Sequence, residues 1–409
     1  MKKRKGIGVA LALACVTTGA ILHKSTDFNE ISAYANEYAQ ECLTSVETVK
    51  EQESLQIHAK SAYLMDFTSG TVLYAQNEKK HLPIASMCKI MTLILTFDAI
   101  KAGALDINEQ VCVSERASSM GGSQVFLETN AKYPVKELIK SVVVCSANDS
   151  CVALAERIAG AENVFVDRMN ERAKSLGAND TLFANCTGLP KEPQYSCAKD
   201  VAVMLKELLT NQEYYEFGKV WLDKFAHPKG RYTEITNTNK LVRFYDGCDG
   251  GKTGFTNQAG FCLAATAKRG DMRVISVAIG ADSSQNRFND VRSMFDYAFA
   301  NFTVQPILDA SKPLENKAKV ENGKIKEIEI IAQQNAYALT KRGEKGNISV
   351  EYAINELRAP IKKGDKVGEI VIFKDNIESE RIAILANESV EKATIFDRLK
   401  DVAKGWNVR

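Results

Sequence analysis

The sequence predicts an α/β (α+β) chain in which buried helices accompany an antiparallel strand hairpin, followed by a small β-rich domain and a terminal amphipathic helix. Three observations predict it. Apolar runs of helical length alternate with short β-branched segments as far as about residue 302. Beyond that point apolar and polar residues alternate and glycines punctuate them. At the very end, apolar residues recur at the spacing of one helix face.

The elements follow in order. Ser61–Asp66 and Thr71–Tyr74 flank Ser69-Gly70, which reads as two strands and a tight turn. Pro83 precedes Ser86-Met-Cys-Lys-Ile-Met-Thr-Leu-Ile-Leu-Thr-Phe97, an almost wholly apolar run that suits a buried helix. Pro134, at a favourable first-turn position, opens a second helix through Val144, and a third runs from about Ser150 to Ile158 and stops at Gly160. Phe261–Ala267 and Arg273–Ile279 read as a hairpin with Arg269-Gly270 in its turn, and a helix over Val291–Phe302 closes the unit. Ile325–Ile331 and Ile348–Ile354 are strands of the second domain. Ile395, Phe396, Leu399, Val402, Ala403 and Trp406 line one face of the last helix.

At the other end, Lys2, Lys3, Arg4 and Lys5 precede an uncharged run from Gly6 to Leu22. A basic start before a short apolar stretch reads as an export signal, with Ala33-Tyr-Ala35 as a small-residue cleavage site. An uncleaved anchor is the structural alternative, since the run is near the shortest that spans a bilayer. The predicted organisation is therefore a signal segment at 1–35, a linker at 36–55, a main domain at 56–302, a β-rich domain at 303–390 and a helix at 391–409.

Fifty-three basic residues against fifty-one acidic ones leave a formal charge of +2, which gives no electrostatic reason to expect nucleic acid. Ten cysteines are many for an exported protein. Loss of Cys15 with the signal would leave an odd number, and none has zinc-site spacing, so most read as small buried hydrophobes. His23, His58, His81 and His227 lie outside every motif, which disfavours a serine–histidine–aspartate triad.

Three short motifs stand in sequence order: Ser86-Met-Cys-Lys89, Ser146-Ala-Asn148 and Lys252-Thr-Gly254. Each alone has a bland explanation. Ser86 could cap a helix with Lys89 exposed, Ser146, Asn148 or Asp149 could cap the next, and the glycines could make a turn. Together they fit acyl transfer. A serine hydroxyl needs a neighbouring base, and a residue three positions on along a helix shares its face. A lysine serves as that base once burial or a second cation lowers its pKa. Ser146 could relay a proton, and Asn148 could bind a substrate amide. A glycine in a strand permits close approach of another backbone, so a peptide could lie beside Gly250–Gly254 with Lys252 and Thr253 at its carboxylate.

With these motifs, the chain resembles the low-molecular-mass penicillin-binding proteins, the D-alanyl-D-alanine carboxypeptidase family of serine peptidases. Further matching stretches are Pro83–Met87, Gly121–Ser123, Phe183–Leu189, Ser196–Asp200, Asn237–Leu241, Asp249–Thr256 with Ala259-Gly260, and Ala359–Asp365. The resemblance implies a β-lactamase/transpeptidase-like domain whose antiparallel sheet is flanked by helices. It implies an acyl-enzyme on Ser86, Lys89 as acylation base, Ser146 as a third catalytic group, and removal of the terminal D-alanine from peptidoglycan stem pentapeptides. Asn148, Lys252, Thr253, Gly254, Phe255 and Arg287 would bind substrate, with the oxyanion held by the N–H groups of Ser86 and Phe255. Arg287 could instead form a surface ion pair, and Asp200, which matches an aspartate of the loop bordering the site, could equally be a helix cap. Cys88 reads as packing. No metal or organic cofactor is implied, β-lactams would act as covalent inhibitors, and the last helix would rest on the extracytoplasmic membrane surface or pack on the β-rich domain.

The rivals are a D,D-endopeptidase acting on cross-links, a β-lactamase, and a non-catalytic wall-binding protein. No E-x-x-L-N-like segment supports fast β-lactam hydrolysis. The intact serines and lysines argue against a binder.

Overall fold

The computed structural model describes residues 55–344, 347–397 and 399. The signal segment, nearly all of the linker and most of the last helix therefore lie outside the described residues. Residues 57–409 cluster as one unit.

Five antiparallel strands form the central sheet: β1 (Ser61–Asp66), β2 (Val72–Gln76), β7 (Cys248–Thr256), β8 (Gly260–Arg269) and β9 (Met272–Ala281), in the order β2-β1-β9-β8-β7. Between β2 and β7 the chain forms a helical layer: α1 (Lys89–Lys101), α2 (Glu115–Ser118), α3 (Val135–Val144), α4 (Asn148–Ala159), α5 (Glu162–Ser175), α6 (Ala198–Leu208), α7 (Tyr214–Gly218) and α8 (Leu241–Phe244). Two short strand pairs interrupt it, β3 (Gln110–Cys112) with β4 (Lys132–Pro134), and β5 (Leu222–Ala226) with β6 (Tyr232–Thr236). After β9 comes α9 (Ser284–Asn301).

Strand β9 is buried at every position because both faces of the sheet are covered. Successive side chains point to opposite faces. Ile275, Val277 and Ile279 join the core built with α6, while Ser276 turns the other way to meet Met294 of α9 at 3.5 Å. Helix α1 carries apolar residues on every face of its first turns, so Ile90–Ile94 and Phe97 are buried among α4, α5 and α6, while Asp98–Ile100 are half-buried and Lys101 is exposed. Ile90, Met91, Leu93, Ile94 and Phe97 are each at most 2% exposed, and burial of each contributes roughly 1.5–3 kcal/mol.

The sequence-based boundaries shift in places. Pro134 stands before the second helix, not in its first turn: with ψ 140° it holds the extended conformation of a cap. The hairpin turns at Gly270-Asp271, since Arg269 still pairs with Met272. The closing helix starts at Ser284, seven residues earlier than expected, capped by Ser283, whose hydroxyl accepts from Asn286 N–H.

The second domain comprises β10 (Phe302–Leu308), β11 (Pro313–Glu321), β12 (Glu327–Ala332), β13 (Ala336–Lys341), β14 (Ile348–Ile354), β15 (Leu357–Arg358), β16 (Lys366–Lys374) and β17 (Ile377–Ala386). β10 pairs with β13, and the rest form a sheet ordered β14-β16-β17-β12-β11-β15 around Ile328, Ile330, Ile370, Ile372, Ile382 and Ile384. Gly368 is required in β16, because a Cβ there would sit 2.4 Å from Ala353 O.

Candidate active site

The chain makes one tight 3₁₀ turn, Ala85–Cys88, before α1, so Ser86 precedes the α-helix itself. Ala85 holds φ 46°, a left-handed conformation that costs free energy for a residue with a Cβ. Two glycines hold the turn there. A Cβ on Gly254 of β7 would lie 2.6 Å from Ile84 O and 3.2 Å from Ser86 N, and one on Gly188 would lie 2.0 Å from Ala85 O. Close backbone approach at a strand glycine is present at Gly254, where edge strand β7 runs directly against the chain's own Ser86 turn.

Lys89 follows Ser86 by three residues and is fully buried. Its Nζ lies 3.0 Å from Ser86 Oγ, 2.7 Å from Asn148 Oδ1 and 2.6 Å from Thr187 O. None of these partners carries a charge, and burial holds the Lys89 amine below the usual lysine range. Asn148 is fixed in orientation because its Nδ2 donates to Gly121 O at 2.7 Å, which leaves Oδ1 for the lysine. A single buried amine thus ties the first motif to the second, while Gly254 places the third against the first.

Ser146 is 4% exposed and adopts φ 65°, and its buried Oγ has no hydrogen-bond partner. The capping reading does not hold here. Ala147 occupies the cap of α4, no side chain caps it, and Asn148 and Asp149 lie inside the helix. Asp149 instead accepts the N–H groups of Val125, Leu127 and Ser150, which shapes the loop before α3. Lys252 is 2% exposed and donates to Thr253 O at 3.1 Å, while Thr253 Oγ1 donates to Thr238 Oγ1 at 2.7 Å. Burial, and then repulsion from Lys89, push the Lys252 amine well below its ordinary value.

Arg287, on α9, reaches Gly254 O and Cys262 O at 3.4 Å and Ser284 Oγ at 3.1 Å, with its guanidinium over the rings of Phe261 and Phe288. It is 7% exposed and its Nε has no partner, so the surface ion pair is not formed. Burial pushes Arg287 down to about 10. A buried guanidinium without a carboxylate is costly on its own and suits an incoming anion. Phe255, next along β7, is 51% exposed and packs against the Phe261 ring, centroids 4.4 Å apart and planes tilted by 32°.

Asp200 lies in the first turn of α6 and does not cap it. Its Oδ2 accepts from Asp180 N–H and from the Thr181 hydroxyl, which makes it a fastener of that loop. Among the described residues all eight cysteines are free and six are buried, as small hydrophobes would be. Cys88 is one of these: its thiol donates to Asn185 O at 3.2 Å, and burial pushes it far up. His58 pairs with Asp290, His81 stacks on Tyr195, and His227 is buried beside Tyr133 and Thr233, so each has a structural partner. His23 lies outside the described residues.

The segment Asn185–Gly188 had no assigned role in the sequence. Three consecutive carbonyls of this loop are bonded by the turn and helix that carry Ser86: that of Asn185 by Cys88, that of Cys186 by the Thr92 hydroxyl, and that of Thr187 by Lys89. A main-chain acceptor leaves no residue-type signal. Only Asn185, two and three residues before N–H groups it accepts, has the sequence character of an Asx turn.

A mixed domain with an antiparallel sheet, and a buried lysine bonded to a serine beside the sheet edge, define a serine acyl-transfer hydrolase of the β-lactamase/transpeptidase fold. Comparison with known proteins agrees. The D-alanyl-D-alanine carboxypeptidase family matches residues 46–283, and the penicillin-binding protein 5 C-terminal domain matches residues 302–392. The D-alanyl-D-alanine carboxypeptidase DacF of Bacillus subtilis is 39% identical over 359 residues, which is 87% of this chain and 92% of the relative. A peptidoglycan synthesis regulatory factor (PBP3) from Streptococcus pneumoniae superposes with a TM-score of 0.71 at 27% identity, covering 82% of this chain and all of that one. Penicillin-binding protein D2 of Listeria monocytogenes, solved in its ampicillin-bound form, matches with a TM-score of 0.55 and 30% identity over 60% of this chain and 99% of that one. The chain belongs to the D-alanyl-D-alanine carboxypeptidase family of penicillin-binding serine peptidases.

Proposed function

We propose that Ser86 is the nucleophile that removes the terminal D-alanine of peptidoglycan stem pentapeptides through an acyl-enzyme. The observation that carries this reading is the 3.0 Å contact between Ser86 Oγ and an amine that burial holds below the usual lysine range. Ser86 Oγ bonds to the penultimate D-alanine carbonyl carbon as its proton passes to Lys89. The oxyanion is held by the N–H groups of Ser86 and Phe255, a contribution of several kcal/mol in such sites. As the C–N bond breaks, the leaving D-alanine nitrogen takes a proton, with the unpartnered Ser146 hydroxyl as relay from Lys89. Water then cleaves the ester. Asn148, Lys252, Thr253 and Gly254 line the peptide, which lies along edge strand β7, and Arg287 draws its carboxylate toward Lys252 and Thr253.

β-Lactams acylate the same serine in this reading, as the ampicillin-bound relative suggests. The protein acts outside the cell membrane. Residues 1–35 direct its export, and the segment 391–409 lies on the membrane surface. In support, Ile395, Phe396 and Leu399 are 60–78% exposed and share one helix face. No helix among the described residues is long and apolar enough to cross a membrane.

The deciding experiment compares D-alanine release from a defined pentapeptide with cleavage of a cross-linked dimer. Faster release from the pentapeptide is expected. Preferential cleavage of the dimer would make the protein an endopeptidase, and no turnover or penicillin adduct would make it a binder.

A further inference from the structure

We infer that Asn185 is a positioning residue for the reaction: by holding the Thr187 carbonyl on Lys89 Nζ, it aims the amine's lone pair at the Ser86 hydroxyl. The inference rests on the reading of Lys89 as acylation base.

A neutral amine has two N–H groups and one lone pair. Asn148 Oδ1 at 2.7 Å and Thr187 O at 2.6 Å are both oxygens that can only accept. Together they occupy both N–H groups, so the one direction left for the lone pair is Ser86 Oγ at 3.0 Å. The Ser86 hydroxyl must then donate to the amine, which is the arrangement proton removal requires. When that proton arrives, the ammonium has three N–H groups and the same three oxygens receive them, so no partner moves during the step.

Thr187 O is a main-chain atom in a loop, and it needs something to hold it. Asn185 supplies this. Its Oδ1 accepts from Thr187 N at 3.1 Å and Gly188 N at 2.7 Å, and its Nδ2 donates to Leu189 O at 2.8 Å. All three bonds lie within the loop, and the side chain is 8% exposed, so water competes poorly for them. Gly188, at φ 81°, lies against Ala85 O, which keys the same loop to the turn that carries Ser86.

The titratable neighbours of Lys89 are few. Cys88 on its own turn, Cys145 before α4, Cys151 on α4 and Cys186 on the loop are thiols that burial keeps protonated, with Cys145 at about 11 and Cys151 at about 12. The Lys252 amine of β7 is coupled to Lys89, and Arg287 of α9 acts on Lys252 in turn. With these thiols protonated, the ascending limb of the acylation profile reports Lys89 and its coupled neighbour Lys252.

The test measures the acylation rate constant with a fluorescent penicillin against pH, alongside the fraction labelled at saturation. In Asn185→Ala the plateau rate is expected to fall about 10- to 100-fold, as displacement of a catalytic group does. The ascending limb should also move to lower pH, because the ammonium loses an acceptor while the amine loses its aim. Asn185→Asp keeps the accepting oxygen, so its plateau should stay within about threefold of wild type, with the limb moved to higher pH by the added charge. A wild-type plateau and limb in Asn185→Ala would overturn the inference. So would a lower labelled fraction with both unchanged, which marks a merely structural residue. If Asn185→Ala does not fold, Asn185→Asp decides alone, and a plateau reduced as far as that of Lys89→Ala overturns the inference. Lys89→Ala also separates the two readings: persistent fast acylation there removes the base itself, whereas its loss beside a wild-type Asn185→Ala removes only the positioning role.

Discussion

Replacing Gly254 by alanine probes the contact on which the site's assembly depends. The added methyl would lie 2.6 Å from Ile84 O and 3.2 Å from both Ser86 N and Ala85 Cβ, against an ordinary contact of 3.4 Å or more. The turn must therefore retreat from β7 by roughly 0.8 Å at its worst contact. Misplacement of a reacting group by about 1 Å can cost about 100-fold in rate, or about 2.7 kcal/mol of activation free energy. Penicillin acylation of Gly254→Ala should accordingly fall on the order of 30- to 100-fold. Gly121→Ala is the matched control. Gly121 lies beside the site, yet a Cβ there meets nothing within 4 Å, so acylation should stay at the wild-type rate. The measurement is the second-order rate constant for labelling, with thermal melts to show that both variants fold. Wild-type acylation in a folded Gly254→Ala protein would refute the close-packing argument.

Other outcomes follow from the same geometry. Arg287→Met should lower kcat/KM for a pentapeptide about 10- to 100-fold, since a hydrogen bond to a charged group contributes about 1.5–3 kcal/mol. The same change should leave the melting temperature equal or higher, because it removes a buried cation that has no carboxylate, and a C-terminally amidated peptide should feel it little. Maleimide treatment of the native protein should label exposed Cys112 before any other described cysteine, whereas unfolding should expose Cys88, Cys151, Cys186, Cys197, Cys248 and Cys262. Peptide mapping reads this directly. Truncation after Thr394 should move the processed protein from the membrane fraction to the soluble one while retaining acylation. The cut belongs there and not after Val390, because Lys392 bridges to Gly323 and Ala393 N–H donates to Asn322 O. Continued membrane retention would assign the terminal helix a different role.

The sequence discloses those parts of the site that residue type determines. Glycine inside Gly250–Gly254 signals close backbone approach, and Gly254 makes one with the turn that carries Ser86. Serine and lysine three apart signal a shared face, and the contact is there at 3.0 Å. The largely apolar run after Ser86 signals burial, which is also what lowers the lysine. Atoms that every residue possesses leave no such trace. Thr187 contributes a carbonyl, and Thr238 meets Thr253 only because the chain returns to β7 through Asn237 and Asn239, whose side chains accept Asn239 N–H and Leu241 N–H. Caps mislead for a related reason. Ser146, Asn148 and Asp149 are all good capping residues, but none caps: Asn148 bonds to Lys89 and Gly121 O, Asp149 accepts N–H groups of the Val125–Leu127 loop, and Ser146 Oγ has no partner. In the β-rich domain alternation identifies strands, while their order depends on pairings such as β12 with β17 that no local pattern encodes.

The central claim is that a buried lysine, its amine held below the usual lysine range, makes Ser86 the reactive hydroxyl. Its most direct test is peptide mapping by mass spectrometry after brief penicillin treatment across a range of pH. One penicilloyl adduct is expected, on the peptide carrying Ser86. It should form faster as pH rises through a midpoint below the ordinary lysine value, vanish in Ser86→Ala, and form about 10²- to 10⁴-fold more slowly in Lys89→Ala. An adduct on another residue, or a rate that ignores both pH and the loss of Lys89, would contradict the claim.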